Sequence, residues 1–118
     1  MIKIKRVYEE PSPDDGVRVL VDRLWPRGLS RERAKVDYWL KEVAPSDELR
    51  RWFGHDPERW EEFKERYWRE LDSKREAVEE LVALVRSNAV VTLLYAARDR
   101  ERNNAVALRE YLKARYSL

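Results

Sequence analysis

The residue types best suited to chemistry gather in VDRLWPRG, Val21 to Gly28. An apolar run ends there, and Asp22, Arg23 and Arg27 fall within six residues of one another. Trp25, Pro26 and Gly28 stiffen and turn the chain among them. Guanidinium forks match carboxylate or phosphate oxygens bidentately. A carboxylate within hydrogen-bond reach of a substrate can serve as a general base. A second segment, YAARDRERNN from Tyr95 to Asn104, adds Arg98 and leads into a helix expected to start at Asn103 or Asn104. A helix start presents unpaired N–H groups and a partial positive charge, which suits an anion. The two segments together suggest a pocket for a small anionic or nucleotide-like ligand. Arg23, Trp25, Arg27, Tyr95, Arg98, Asn103 and Asn104 would be its contacts, and Asp22 its candidate base. The competing reading is structural. Arginine is abundant here, exposed ion pairs contribute little, Asp22 can pair with a neighbouring arginine, and Trp25-Pro26 can be a packing corner.

Other chemistries are narrowed by composition. The chain has no cysteine, so disulfides, thiolate-held zinc and thiol nucleophiles are excluded. His55 is the only histidine; it sits between Gly54 and Asp56 and is expected to be exposed. No metal and no cofactor is expected. The three glycines, at 16, 28 and 54, match no phosphate-loop spacing. Asp14-Asp15 in PSPDDG reads as a flexible loop.

Charge leaves two further readings open. Twenty-five basic residues against 23 acidic ones give only +2, which is not the excess of a dedicated nucleic-acid binder. Yet Arg23, Arg27, Arg31, Arg33 and Lys35 are interrupted by a single acid, Glu32. With Trp25 or Trp39 as a stacking platform, they could make a nucleic-acid-binding or regulatory module. The surplus of tryptophan and tyrosine suits a third reading, an interaction domain without a ligand, such as a homodimer. No apolar run is long enough for a membrane span, so a soluble, cytoplasmic protein is expected. Glutamine is absent and Asn and Met are scarce, a bias resembling that of proteins from hot environments.

The elements that would position these residues can be read from periodicity. Ile2 to Tyr8 alternates as a strand, with a slip near Val7. Val17 to Leu24 is a second strand, and its unbroken Val19-Leu20-Val21 implies cover on both faces. Ser30 can cap a short helical turn, whereas Asp37 to Glu42 is ambiguous. Ser46 caps a helix that Gly54 ends. Asp56 and Pro57 open another, with Trp60, Phe63, Tyr67 and Leu71 on one stripe. Asp72-Ser73-Lys74 separates it from a helix carrying Val78, Leu81, Val82 and Val85. Asn88 to Ala97 is the clearest buried strand. The last helix shows Ala105, Leu108, Leu112 and Tyr116 on one face. The order implies one α/β domain over residues 1–118, a small, mostly parallel sheet with helices packed on it. In such sheets ligands bind at the carboxyl ends of strands, where both candidate segments would fall. The direction of the first strand stays open, because its short link to the second is brief for a crossover.

At these residues the chain resembles a known family. KRVYE, DGVRVLVDRLWPRG, APSDELRRWF, WEEFKERYWREL and TLLYAARD…NNAVAL are similar, in this order, to the short branch of the domain of unknown function 488 family. The resemblance implies a compact α/β domain and supplies no activity. Longer relatives carry an Asp-Val-Arg segment after the equivalent strand, and a Cys-His-Arg motif that aligns with Asn103-Asn104-Ala105. This chain has none of those three side chains there. Asp22, Arg23, Pro26, Arg27, Tyr95 and Asn103 fit the family pattern.

Overall fold

The computed structural model describes residues 1–118. At its centre lies the strand that is apolar throughout, β4 (Val91–Tyr95), with every residue buried. β1 (Ile2–Arg6) pairs parallel to one edge of it, Ile4 opposite Leu93. β2 (Val17–Leu20) pairs parallel to the other edge, Val19 opposite Leu93. A two-residue strand, β3 (Tyr38–Trp39), completes the sheet on the far side of β2, in the segment whose pattern was ambiguous. The order is β1-β4-β2-β3 and every pairing is parallel. The domain is thus α/β, with a parallel sheet.

Alternation divides the sheet between two cores. Val19, Val21, Val91, Leu93 and Tyr95 belong to the larger one, with the apolar faces of α2 (Asp47–Phe53), α3 (Trp60–Asp72), α4 (Arg75–Ser87) and α5 (Asn104–Tyr116). Leu20 and Leu94 point the other way and join Val7 in a smaller cluster. Trp25, Leu29, Val36 and Trp39 cover it, from the loop after β2 and the chain around α1 (Arg31–Ala34). The slip at Val7 therefore marks the chain leaving β1 to tuck under this second face. Burying each such large apolar side chain contributes about 1.5–3 kcal/mol before ordering costs.

Helix boundaries follow the capping chemistry. Ser30, Ser46 and Asn103 each accept a backbone N–H in the first turn of α1, α2 and α5. Asp56 caps a 3-10 turn, Pro57–Arg59, that runs into α3. Ser73 and Lys74 separate α3 from α4. The stripe of α3 buries Phe63, Tyr67 and Leu71, and the buried Tyr67 hydroxyl donates to the Val43 carbonyl. In α5 the buried face also takes in Ala107 and Tyr111. The sequence pattern missed these two because Ala is small and the Tyr111 hydroxyl donates to Asp72 at the rim.

The link from β1 to β2 is the part least expected. It contains no crossover helix, yet it brings the chain back across β4 to run parallel. Its PSPDDG stretch is a capped 3-10 turn, Pro13–Asp15, rather than a loose loop. The Thr92 hydroxyl on β4 donates to the Asp15 carbonyl at 2.6 Å and pins the crossing. Gly16 follows with φ +62°, and a Cβ there would lie 2.2 Å from the Val90 carbonyl oxygen. Asp15 itself is buried against cations. It accepts from Arg18 at 2.6 Å and from Lys5 at 3.1 Å, and Arg18 also donates to the Ala34 and Lys35 carbonyls. Burial works to raise the Asp15 carboxyl, but bonds from the Ser12 N–H, Lys5 and Arg18 outweigh it and hold the carboxyl below the usual range.

Candidate functional site

Because all strands run the same way, the segments that follow β1, β2 and β4 emerge on one edge of the sheet. They meet the end of α2 and the start of α5 around a cleft of about 1060 Å³. Arg6 and Tyr8 come from the end of β1, Asp22 to Arg27 from β2, and Ala96 to Asn104 from β4. Arg50, Arg51, Phe53 and His55 come from α2 and the turn after it.

Asp22 is the joint between β2 and α5. One carboxylate oxygen accepts from the Ala96 N–H at 3.0 Å, and the other from the Asn104 amide at 2.9 Å. The same amide donates to the Val21 carbonyl at 2.9 Å. Burial raises the Asp22 carboxyl above its usual range, while the Asn104 and Ala96 bonds pull partly back. Both oxygens are therefore engaged by the protein, which suits a brace for the helix start better than a free base. Asn103 is committed as well. Its side-chain oxygen accepts from the Val106 N–H and its amide donates to the Asp99 carbonyl.

The arginines divide into three kinds, of which Arg50 and Arg102 are ion-paired, with Asp47 and Asp99. Arg23 is tied inward, donating to the carbonyls of Pro45 and Ala44, both at 3.2 Å. Arg6 donates to the carbonyls of Ala96 and Ala97. Arg27, Arg51 and Arg98 are exposed and form no ion pair within the chain. Seven arginines line the cleft against two aspartates. The second aspartate, Asp99, accepts from the N–H groups of Arg102 and Glu101, and these bonds lower its carboxyl below the usual range. The cleft is thus far more cationic than the chain as a whole.

Seven of the eight residues singled out from sequence line this cleft, and Tyr95 does not. As the last residue of β4 it alternates to the helix side and is buried in the main core. Trp25 lines the cleft, with its indole N–H given to the Leu29 carbonyl and its ring edge-on to Trp39 at 5.4 Å. Arg6, Tyr8, Leu24, Arg50, Arg51, Arg102 and His55 also line the cleft and were missed. The signal for Arg6 was present, a cation at a strand's carboxyl end, but it needed the direction of β1.

Both tryptophans of the basic segment after β2 carry cations of their own chain. The Arg31 guanidinium lies over Trp25 at 4.5 Å and over Trp39 at 5.5 Å, and the Lys41 ammonium lies 4.1 Å from the Trp39 ring. Arg66 covers Trp52, Lys64 covers Trp60 and Arg115 covers Trp68. Each of the five indoles thus carries a cation of its own chain, worth about 0.5–1 kcal/mol at exposed sites. No group of three or more His, Cys, Asp or Glu side chains is arranged to hold a metal ion. No helix is long and apolar enough to cross a membrane.

A small α/β domain with a parallel sheet and an arginine-lined cleft at its carboxyl edge is the class that fold and site define. The chain belongs to the DUF488 family: residues 1–117 match the family model described as the inactive DUF488-N3 subclade. It is 46% identical over 114 residues to the uncharacterized protein Rv3073c of Mycobacterium tuberculosis, covering 97% of this chain and 95% of that one. It is 37% identical over 113 residues to the uncharacterized protein YeaO of Escherichia coli, covering 96% and 97%. No solved structure matches the chain.

Proposed function

We propose that this protein binds a small anionic ligand in the cleft at the carboxyl edge of its sheet, and acts by binding rather than by bond cleavage. One observation carries the reading: seven arginines face two aspartates there, and both carboxylates already accept N–H donors of the protein. Arg27, Arg51 and Arg98 have no carboxylate partner in the chain, and an anion is the simplest thing that would balance them. Arg27 and Arg98 are the free arms, while Arg23, Asp22 and Asn104 hold the walls in place. The description of the subclade as inactive agrees with a site whose candidate base from sequence, Asp22, is engaged on both oxygens.

Calorimetric titration with pyrophosphate tests this. The wild-type protein should bind, the Arg27→Ala/Arg98→Ala double variant should bind much more weakly, and rising salt should weaken the wild type. Absence of binding by the wild type at low salt would overturn the proposal. A ligand at about 100 times its dissociation constant should also stabilise the fold by about 2.7 kcal/mol, readable as a shift in Tm.

A further inference from the structure

Tyr8 is an exposed aromatic side chain that is not free to move. Its hydroxyl donates to the Arg27 carbonyl at 2.8 Å, bridging the segment after β1 to the segment after β2. The Arg6 guanidinium lies over its ring at 4.7 Å, and Arg6 is itself fixed by the Ala96 and Ala97 carbonyls. Tyr8 nevertheless remains 40% exposed and lines the cleft. Fixing a side chain costs rotamer entropy, which burial usually offsets. Here the chain orders an aromatic ring and leaves much of it bare.

Leu24 repeats the pattern. It is 59% exposed and lines the same cleft. Only four large hydrophobic side chains are exposed in the whole chain, and these are two of them. None of the five indoles, by contrast, is exposed to that degree. An inorganic anion needs guanidinium groups and has no use for apolar surface. Ligand sites combine an apolar wall with a few placed polar groups, and a cleft of this size exceeds what a lone phosphate fills.

We infer that Tyr8 and Leu24 form a ring-binding subsite, so that the ligand is an organic phosphate carrying an aromatic ring, a nucleoside phosphate rather than an inorganic anion. The exposed part of Tyr8, beside Arg6, would receive the ring, while the phosphates reach the free arginines. The inference rests on the anion-binding reading and narrows it.

The test compares ADP with pyrophosphate, which share a diphosphate and differ by the nucleoside. Base stacking on one aromatic side chain corresponds to about a tenfold gain or more in affinity. The wild type should therefore bind ADP at least about tenfold more tightly than pyrophosphate. Tyr8→Ala should erase that preference, and Tyr8→Phe should keep most of it. Equal affinity of the wild type for the two probes would overturn the subsite and leave the anion site standing. Binding of neither would overturn both. If Tyr8→Ala weakens both probes equally, the ring acts only as a clamp between loops, unless Leu24→Ser, which breaks no tether, still weakens ADP alone.

Discussion

Two regions of this molecule use the same residue types to opposite ends. Under the second face of the sheet, Asp15, Arg18 and Lys5 close on one another. The side chains of Arg18 and Asp15 are only 5% and 7% exposed, and the guanidinium is used up by one carboxylate and two carbonyls. At the carboxyl edge of the sheet Asp22 is engaged by a backbone N–H and an amide instead; Arg50 pairs with Asp47 and Arg102 with Asp99, which leaves Arg27, Arg51 and Arg98 without a carboxylate. The acid in the closed cluster, Asp15, sits below its usual range because bonds from the Ser12 N–H, Lys5 and Arg18 outweigh burial. Asp22 in the cleft sits above its usual range because burial prevails over its two hydrogen bonds. Charge that is satisfied internally builds structure. Charge left over at a strand edge is available to a ligand.

The comparison can be broken most directly at Arg18. Arg18→Met leaves Asp15 buried beside Lys5 alone and strips two carbonyls of their donor. It should cost about 3–5 kcal/mol in urea unfolding. An unchanged urea midpoint would show that the cluster is not holding the crossing. Next come the glycines, one in each region. Gly16→Ala should cost about 3 kcal/mol, because the new Cβ collides with Val90 across the sheet. Gly28→Ala, in the cleft turn at φ +76° with nothing within 4 Å, should cost only about 1–2 kcal/mol of backbone strain. Asn104→Ala should cost about 1–2 kcal/mol by removing the donor shared by Val21 and Asp22.

The pH dependence separates the two acids. Asp15 has a depressed carboxyl in the fold, so its contribution is complete above the unfolded value of 3.8 and is lost as pH falls below it. Asp22 has a raised carboxyl, so the folded state holds its proton longer. Its ionisation lowers stability as pH rises from 3.8 through the raised value. Urea midpoints between about pH 3 and 7 should fall less steeply toward acid in Asp15→Asn than in the wild type. In Asp22→Asn the decline on the rising side should disappear, and identical profiles for the two variants would erase the contrast. The smallest effect belongs to the cleft's free arm. Arg27→Ala should leave stability within about 0.5 kcal/mol of the wild type, while anion binding falls.

Much of the fold was legible because local chemistry and tertiary need coincided. Ser46, Asp56 and Asn103 announce helix starts with oxygens that can reach a backbone N–H. The α3 and α4 stripes announce burial at helical spacing. VVTLLY can only be a strand with both faces covered. Asp22, Arg27, Arg98 and Asn104 were legible as one neighbourhood because parallel sheets gather their strand ends. Tyr95 was misplaced into the site because one step of strand alternation decides which face a side chain takes. Arg6 and Tyr8 were overlooked because their place depends on the direction of β1, which nothing within ten residues of them encodes.

The sequence by itself determined the element types, the caps, the two cores' apolar content and the concentration of arginine after the strands, since each depends on contacts a few residues apart. The tertiary structure alone decided which charges close and which stay open. Asp15 meets Lys5 only because the chain recrosses β4. Asp22 is raised only because tertiary packing buries it, against the pull of the Asn104 bond, and seven arginines share one cleft only because three strand ends meet the end of α2 and the start of α5. Those outcomes depend on distances between residues far apart in the chain, and electrostatic energy depends on distance and burial rather than on order.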